Sequence, residues 1–185
     1  DDPDWDRLME GLGERFEIMG TTQKPHASSA ATHAAIDATL SIVNQYEIEP
    51  EDVEYVRVWG FRDMIETLGH PHPENHVHAT MSIPYLVAVA ITDGQVLLAQ
   101  FEEERLRDPK IAALQERMEL SIDPELDWLC PEYLPARVEI TTQAGAVYSQ
   151  EVKTAKGDPE NPLTDGELRA KFRDLAGGVL QPAAI

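Results

Sequence analysis

A lysine and a histidine nine positions further on form the pair in this sequence best suited to acid–base chemistry. Lys24 lies in a polar loop before Pro25, and His33 begins the apolar face of a predicted helix. A lysine shielded from water has a lowered pKa and can act as a base, whereas a histidine near a helix N-terminus is biased towards its neutral form. A solvated lysine and a packed histidine are the alternative interpretation, which composition alone favours.

Tyr85 is the third residue that could carry chemistry. It follows Ser82-Ile83-Pro84 in the first turn of a predicted helix, so its hydroxyl is a candidate donor to a substrate carboxylate or a leaving oxygen. The alternative is a core tyrosine whose hydroxyl binds a backbone carbonyl.

Four histidines fall within nine positions, at His70, His72, His76 and His78, with Glu74 between them. Imidazoles at this density can ligate zinc. Their spacing matches no known zinc signature, and loops rich in proline and histidine are often solvated surface, so we predict that this loop binds no functional metal. The sequence also lacks the glycine-rich motifs that bind nucleotide phosphates.

Periodic apolar residues predict the elements that position these side chains. Segment 82–92 is ambiguous because Asp93-Gly94 could form a hairpin turn. We prefer a helix there, since Ser82 can cap it, Pro84 fits its first turn and Gly94 can end it. The other helices are expected at 4–15 and 32–46, from Asp108-Pro109, and from the Thr164 capping box; the strands at 53–59, 119–122, 137–142 and 146–153.

This order of elements predicts an α+β fold, with a small antiparallel split sheet of the ferredoxin-like kind and helices on one face. In the predicted helix 4–15, Trp5, Leu8 and Leu12 face one side. In the last helix, Leu168, Phe172 and Leu175 are expected to face inward.

The composition excludes several classes of protein. The chain has 185 residues, with 15 Lys+Arg against 34 Asp+Glu and a formal charge of −19. Such a charge repels phosphates and anionic lipids, so we expect no nucleic-acid or membrane binding. The single cysteine, Cys130, excludes an intramolecular disulfide and is typical of a reducing compartment. The sequence lacks a signal peptide, and we expect a cytoplasmic fragment of a longer protein.

Motifs spread over almost the whole chain resemble the C-terminal domain of the MmgE/PrpD family, which includes 2-methylcitrate dehydratase, cis-aconitate decarboxylase and iminodisuccinate epimerase. The shared motifs are Leu12 to Ile18, Lys24-Pro25, Thr32 to Ala38, Ser82 to Tyr85, Ala88 to Ala90 before Asp93-Gly94, Asp108-Pro109, Pro135 to Val138, and Lys156 to Thr164.

The resemblance implies a chorismate-mutase-like or ferredoxin-like core in residues 21–155. Residues 1–20 would then lead from a missing N-terminal helical domain, and residues 156–185 would return towards it. It further implies a homodimer and an active site between the two domains that needs no metal or organic cofactor.

The family's motifs place its catalytic residues at Lys24, His33 and Tyr85, and we add Ser29 and Ser82 as substrate-binding candidates. Family members commonly carry cysteine and arginine between the Lys-Pro and Thr-His motifs, whereas Ala27 to Ala31 are small and uncharged here. A guanidinium is the side chain best shaped for bidentate carboxylate binding, so this difference bears on which acid is bound.

Two hypotheses for function result. In the first, the chain is the C-terminal domain of a lyase or isomerase that dehydrates, decarboxylates or epimerises a small polycarboxylic acid and is inactive alone. In the second, it is an acidic interaction domain that kept the fold and lost the site.

Overall fold

The computed structural model describes residues 4–181, so the ends of the predicted segments 1–20 and 156–185 lie partly outside it. The helices are α1 (Trp5–Met9), α2 (His33–Tyr46), α3 (Arg62–Leu68), α4 (His76–Ala79), α5 (Ile83–Asp93), α6 (Glu103–Leu106), α7 (Pro109–Gln115), α8 (Pro124–Leu129) and α9 (Asp165–Gly177). The strands are β1 (Val53–Gly60), β2 (Met118–Ile122), β3 (Ala136–Thr142) and β4 (Val147–Val152). This arrangement confirms the predicted α+β class.

The four strands form one sheet in the order β2-β1-β3-β4. In the centre of the sheet Val58 lies opposite Val138 of β3, and Ile140 lies opposite Tyr148 of β4; both pairings are antiparallel. The pairing of β1 with β2 is parallel, with Val58 opposite Leu120. The predicted sheet was antiparallel and split, and the structure differs because residues 61–117 form a helical connection long enough to return β2 beside β1 in the same direction.

One face of the sheet is covered by helices, as predicted. Along β3 the residues from Ala136 to Thr142 alternate between buried and half-buried, which is the pattern of a strand with one face on a core. Helix α2 packs on β3 and β4, while α5 packs between α2 and α7. The opposite face carries charged and aromatic side chains, among them Tyr55, Arg57 and Glu119.

Helix α5 is the central helix of the fold and resolves the ambiguity of segment 82–92. Its residues from Ile83 to Ile91 are all buried. The Ser82 hydroxyl accepts from the Tyr85 N–H, Pro84 lies in the first turn, and Gly94 ends the helix with φ +66°. The predicted helix, and the residues predicted to begin and end it, are confirmed.

The N-terminal helix is shorter than the predicted 4–15. Helix α1 ends at Met9, because Gly11 and Gly13 follow with φ +72° and +84°, a left-handed backbone that a right-handed helix cannot contain. Leu8, a member of the predicted apolar face, has a side chain outside what the structure describes. Within residues 4–181, every helix is too short or too polar to cross a bilayer.

Candidate active site

A cleft of about 550 Å³ lies between the loop of residues 24–29 and one face of α9. Thr80 and Met81, just before α5, and Leu97 and Leu98, just after it, complete its walls. The loop is fixed by backbone hydrogen bonds at three points: Gln23 N–H to the Gly157 carbonyl (2.9 Å), Ala27 N–H to Val96 (3.1 Å) and Ser29 N–H to Thr80 (2.9 Å). Three separate segments therefore hold the loop in place.

Two ammonium groups lie at the cleft. Lys24 is exposed, and its Nζ donates to the Ser28 carbonyl at 3.2 Å. Lys171 projects from α9, and its Nζ donates to the Lys24 carbonyl at 2.7 Å. Ser29 lines the same cleft, and Asp174 is an acidic residue of its wall. The cleft thus offers cationic donors and a hydroxyl at the surface of an acidic chain.

His33 is buried directly behind the loop and is only 1 % exposed. Burial, and secondarily the neighbouring His26, lowers the pKa of His33 to about 4. Its Nε2 atom is buried and makes no hydrogen bond with any residue of the described chain. His33 is therefore a neutral imidazole at physiological pH.

Between His33 and the cleft stands a second histidine. The rings of His26 and His33 meet edge to face, with their centroids 5.2 Å apart. The His26 Nε2 lies 2.8 Å from Oδ1 of Asp37, one turn along α2 from His33. The other oxygen of Asp37 accepts the backbone N–H of Lys156 at 2.7 Å. Asp37 thereby joins the cleft loop to the loop that precedes α9.

Tyr85 points away from this cleft. It is completely buried, and its hydroxyl donates to the Gln100 carbonyl. Burial raises the pKa of Tyr85 to about 12. Ser82 is likewise engaged, since its hydroxyl donates to the His70 carbonyl and caps α5.

The histidine-rich loop makes separate contacts. The His72 Nε2 pairs with Glu116 Oε1 at 2.7 Å, while Asn75 caps α4 through the His78 N–H. Within residues 4–181, no group of three or more histidine, cysteine or acidic side chains is arranged to hold a metal ion.

Comparison with known proteins identifies the family. The model of the MmgE/PrpD C-terminal domain matches residues 26–184, most of the chain. The chain belongs to the MmgE/PrpD family.

Curated relatives within the MmgE/PrpD family are cis-aconitate decarboxylases and one protein named for them. The enzyme of Aspergillus terreus is 24 % identical over 97 % of this chain, and that of Mus musculus is 23 % identical over 85 %. The cis-aconitate decarboxylase-like protein oryM of Aspergillus oryzae is 26 % identical over 95 %. The chain spans 39 %, 33 % and 38 % of these proteins, respectively.

The MmgE/PrpD motifs come together only in part. Lys24 and Ser29 line one cleft, and His33 lies behind it through its contact with His26. Tyr85 and Ser82 begin the helix next to that cleft, but their hydroxyls bind backbone carbonyls outside it. Their predicted catalytic and binding roles require those hydroxyls to leave their present partners.

Sequence reasoning missed three polar residues of the site: His26, Asp37 and Lys171. His26 follows the Lys-Pro motif directly, and Asp37 stands four positions after His33, a spacing that places both on one helix face. That spacing was the available signal for Asp37. Lys171 carries no such signal, since only the return of α9 across the loop brings it to Lys24.

Proposed function

We propose that this chain forms the C-terminal part of the active site of a lyase that acts on a small polycarboxylic acid, of the cis-aconitate decarboxylase kind. The observation that carries the proposal is the cleft in which Lys24, Lys171, Ser29 and His26 meet. The names of the curated relatives support the choice of acid and reaction, and the family membership supports the lyase class.

The cleft suits an anionic substrate of small size. The Lys24 and Lys171 ammonium groups each bind one backbone carbonyl in the structure, which leaves further N–H donors for carboxylate oxygens. Charge-assisted hydrogen bonds of this kind are shorter and stronger than neutral ones. The Ser29 hydroxyl would add a donor beside them.

Decarboxylation requires the site to manage one electron pair and one proton. The bond between the carboxylate carbon and its neighbour breaks, carbon dioxide leaves, and the electron pair stays on the substrate as a carbanion. A proton then forms the new C–H bond. In our proposal Lys24 stabilises the negative charge, and His33 assists proton movement from its buried position behind the cleft. Tyr85 donates a hydrogen bond to a substrate carboxylate once its hydroxyl leaves the Gln100 carbonyl.

We propose that further residues of the site come from outside these 185 residues. The relatives are more than twice as long as the matched region, so most of their residues have no counterpart in this chain. A reacting group displaced by about 1 Å can cost about 100-fold in rate. We therefore expect the isolated chain to have little or no activity.

The test compares the complete protein that contains this chain with the 185-residue chain alone. Both are assayed on cis-aconitate and 2-methylcitrate, with carbon dioxide release, dehydration and epimerisation followed separately. We expect carbon dioxide release from cis-aconitate by the complete protein. Equal turnover by the isolated chain would show that it holds a complete site and would contradict the two-part arrangement.

Substitution of Lys24 tests the cleft itself. Loss of a charge-assisted hydrogen bond worth about 1.5–3 kcal/mol predicts that Lys24→Met lowers kcat/KM about 10- to 100-fold. Lys110→Met is the matched control, because Lys110 is exposed and pairs with Glu51 far along the chain from the cleft loop. A folded complete protein with no turnover of any of these acids would favour the alternative of a non-catalytic interaction domain.

A further inference from the structure

The cleft contains a histidine–carboxylate pair that the family motifs did not bring into the proposed mechanism. His26 lines the cleft, yet its side chain is only 9 % exposed, and its Nε2 is 2.8 Å from Oδ1 of Asp37. A carboxylate that accepts one ring N–H of a histidine fixes the ring orientation and stabilises its protonated form. The pair thus has the arrangement of an oriented acid–base group.

Asp37 is itself held from a second direction. Its Oδ2 accepts the Lys156 backbone N–H at 2.7 Å, so the carboxylate cannot rotate away from His26 without losing that bond. The loop of Lys156 is tied in turn to the cleft loop through Gln23 and Gly157. These hydrogen bonds therefore hold both His26 and Asp37 in place.

The other ring nitrogen of His26, Nδ1, is not used by the pair with Asp37. His26 Nδ1 makes no hydrogen bond within residues 4–181, and in that range the buried side-chain atoms without a hydrogen bond are His33 Nε2 and Arg105 Nε. Nδ1 is therefore the ring nitrogen that the pair with Asp37 leaves for a substrate, in a residue that lines the cleft.

His33 forms the wall behind His26. Its buried ring contacts His26 edge to face and is neutral at physiological pH, so it does not repel a protonated His26. The other titratable groups that face His26 are Asp37 from α2, Lys24 in its own loop, and Lys171 and Asp174 from α9 across the cleft. Of these, Asp37 is in direct contact with the His26 ring.

We infer that His26, oriented by Asp37, is the catalytic residue that delivers the proton to the substrate carbanion, and that His33 is a positioning residue packed behind it. The inference rests on the proposed function. In the step, the His26 N–H bond breaks, the new C–H bond of the product forms, and the neutral imidazole takes a proton from water before the next turnover. The electron pair left by carbon dioxide becomes the C–H bond, so no oxidant or reductant is needed.

The experiment measures kcat and KM for cis-aconitate across pH in the complete protein and its variants. A positioned general acid contributes about 100- to 10,000-fold, so His26→Gln should lower kcat at least about 100-fold with a smaller change in KM. His72→Gln is the matched control, since His72 also pairs with a carboxylate, Glu116, at 2.7 Å but lies outside the cleft. It should retain wild-type kcat.

The pH profile of kcat in Asp37→Asn distinguishes a role in proton transfer from a purely structural role, which would leave the profile unchanged. A proton donor must be protonated, so kcat falls as pH rises. Without the Asp37 charge the protonated His26 ring is less stable, so the fall in kcat should occur at lower pH in Asp37→Asn. An unchanged profile in Asp37→Asn, or wild-type kcat in His26→Gln, would overturn the inference and leave the proposed function standing. A folded wild-type protein with no turnover would overturn the proposed function, and the inference with it.

Discussion

His33 shows at the scale of one residue how burial determines what a histidine can do. Its ring lies at the start of α2, and Nε2 makes no hydrogen bond to any residue between 4 and 181. Desolvation is the largest cause of its lowered pKa, followed by the proximity of His26. The Asp37 charge acts in the opposite direction but is the smaller effect. A proton on His33 would be both buried and close to a second imidazole, so the folded chain disfavours it.

This predicts a loss of stability in mild acid. Between pH 6.5 and about pH 4 the unfolded chain protonates His33 and the folded chain does not, so the free energy of unfolding decreases as pH falls through this window. The loss attributable to His33 reaches about 3 kcal/mol at the acid end. Urea denaturation at several pH values measures it.

The matched variants are His33→Gln and His76→Gln. The first removes the buried imidazole and should flatten the dependence of stability on pH, whatever its cost at neutral pH. The second changes an exposed histidine of α4 and should keep the wild-type dependence. The same slope in wild type and His33→Gln would contradict the assignment.

At the scale of elements, the sequence predicted the helix ends that neighbouring residues determine. Helix α5 follows from Ser82, Pro84 and Gly94, and the capping box at Thr164 begins α9 as expected. The parallel pairing of β1 with β2 could not be predicted in this way, because it depends on how 57 intervening residues (61–117) return across the sheet. The prediction of a helix over 4–15 was wrong at its C-terminal end for a local reason. The apolar spacing continues past Met9, but the left-handed backbone of Gly11 and Gly13 ends the helix.

In the site, likewise, the sequence predicted the placement of residues that lie close together along the chain. Lys24 and Ser29 share a cleft because they share one loop, and His33 adjoins it because α2 begins four residues later. The direction of the Tyr85 hydroxyl depends instead on tertiary packing. The Gln100 carbonyl lies 15 positions further along the chain, and its position beneath α5 determines where the hydroxyl points.

Gly157 provides a test of how elements hold the cleft loop. Its φ is +94°, and a Cβ there would lie 2.0 Å from the Gln23 carbonyl oxygen. Gly157→Ala therefore combines backbone strain with a clash against rigid backbone, and we expect it to lower the free energy of unfolding by roughly 3 kcal/mol. Urea denaturation measures the loss, and limited proteolysis at the 24–29 loop detects its release.

Gly145→Ala is the control for strain alone. Gly145 has φ +81° in the hairpin turn, and a Cβ there would meet no atom within 4 Å. It should cost about 1 kcal/mol, the usual price of a left-handed backbone in a residue with a Cβ. Equal losses in the two variants would show that the contact of Gly157 with Gln23 does not secure the loop.

At the scale of the whole molecule, the chain exposes large apolar side chains at its two ends. Trp5, Leu12 and Phe16 are 67 %, 72 % and 65 % exposed, and Phe172 and Leu175 of α9 are also exposed. Their exposure shows that they do not cover each other within one chain, so the surface is free for another partner.

We therefore predict that the isolated chain self-associates through its N-terminal segment, because burial of exposed apolar side chains between two copies is favourable. Sedimentation velocity over a concentration series should show a shift towards dimer, and the double substitution Leu12→Ser with Phe16→Ser should weaken this association.

Trp128→Ser is the matched control, since Trp128 is 88 % exposed on α8, outside both apolar segments. All three substituted side chains are exposed, so none should lower the free energy of unfolding appreciably. A chain that stays monomeric throughout, or association weakened equally by Trp128→Ser, would exclude the N-terminal segment as the contact surface.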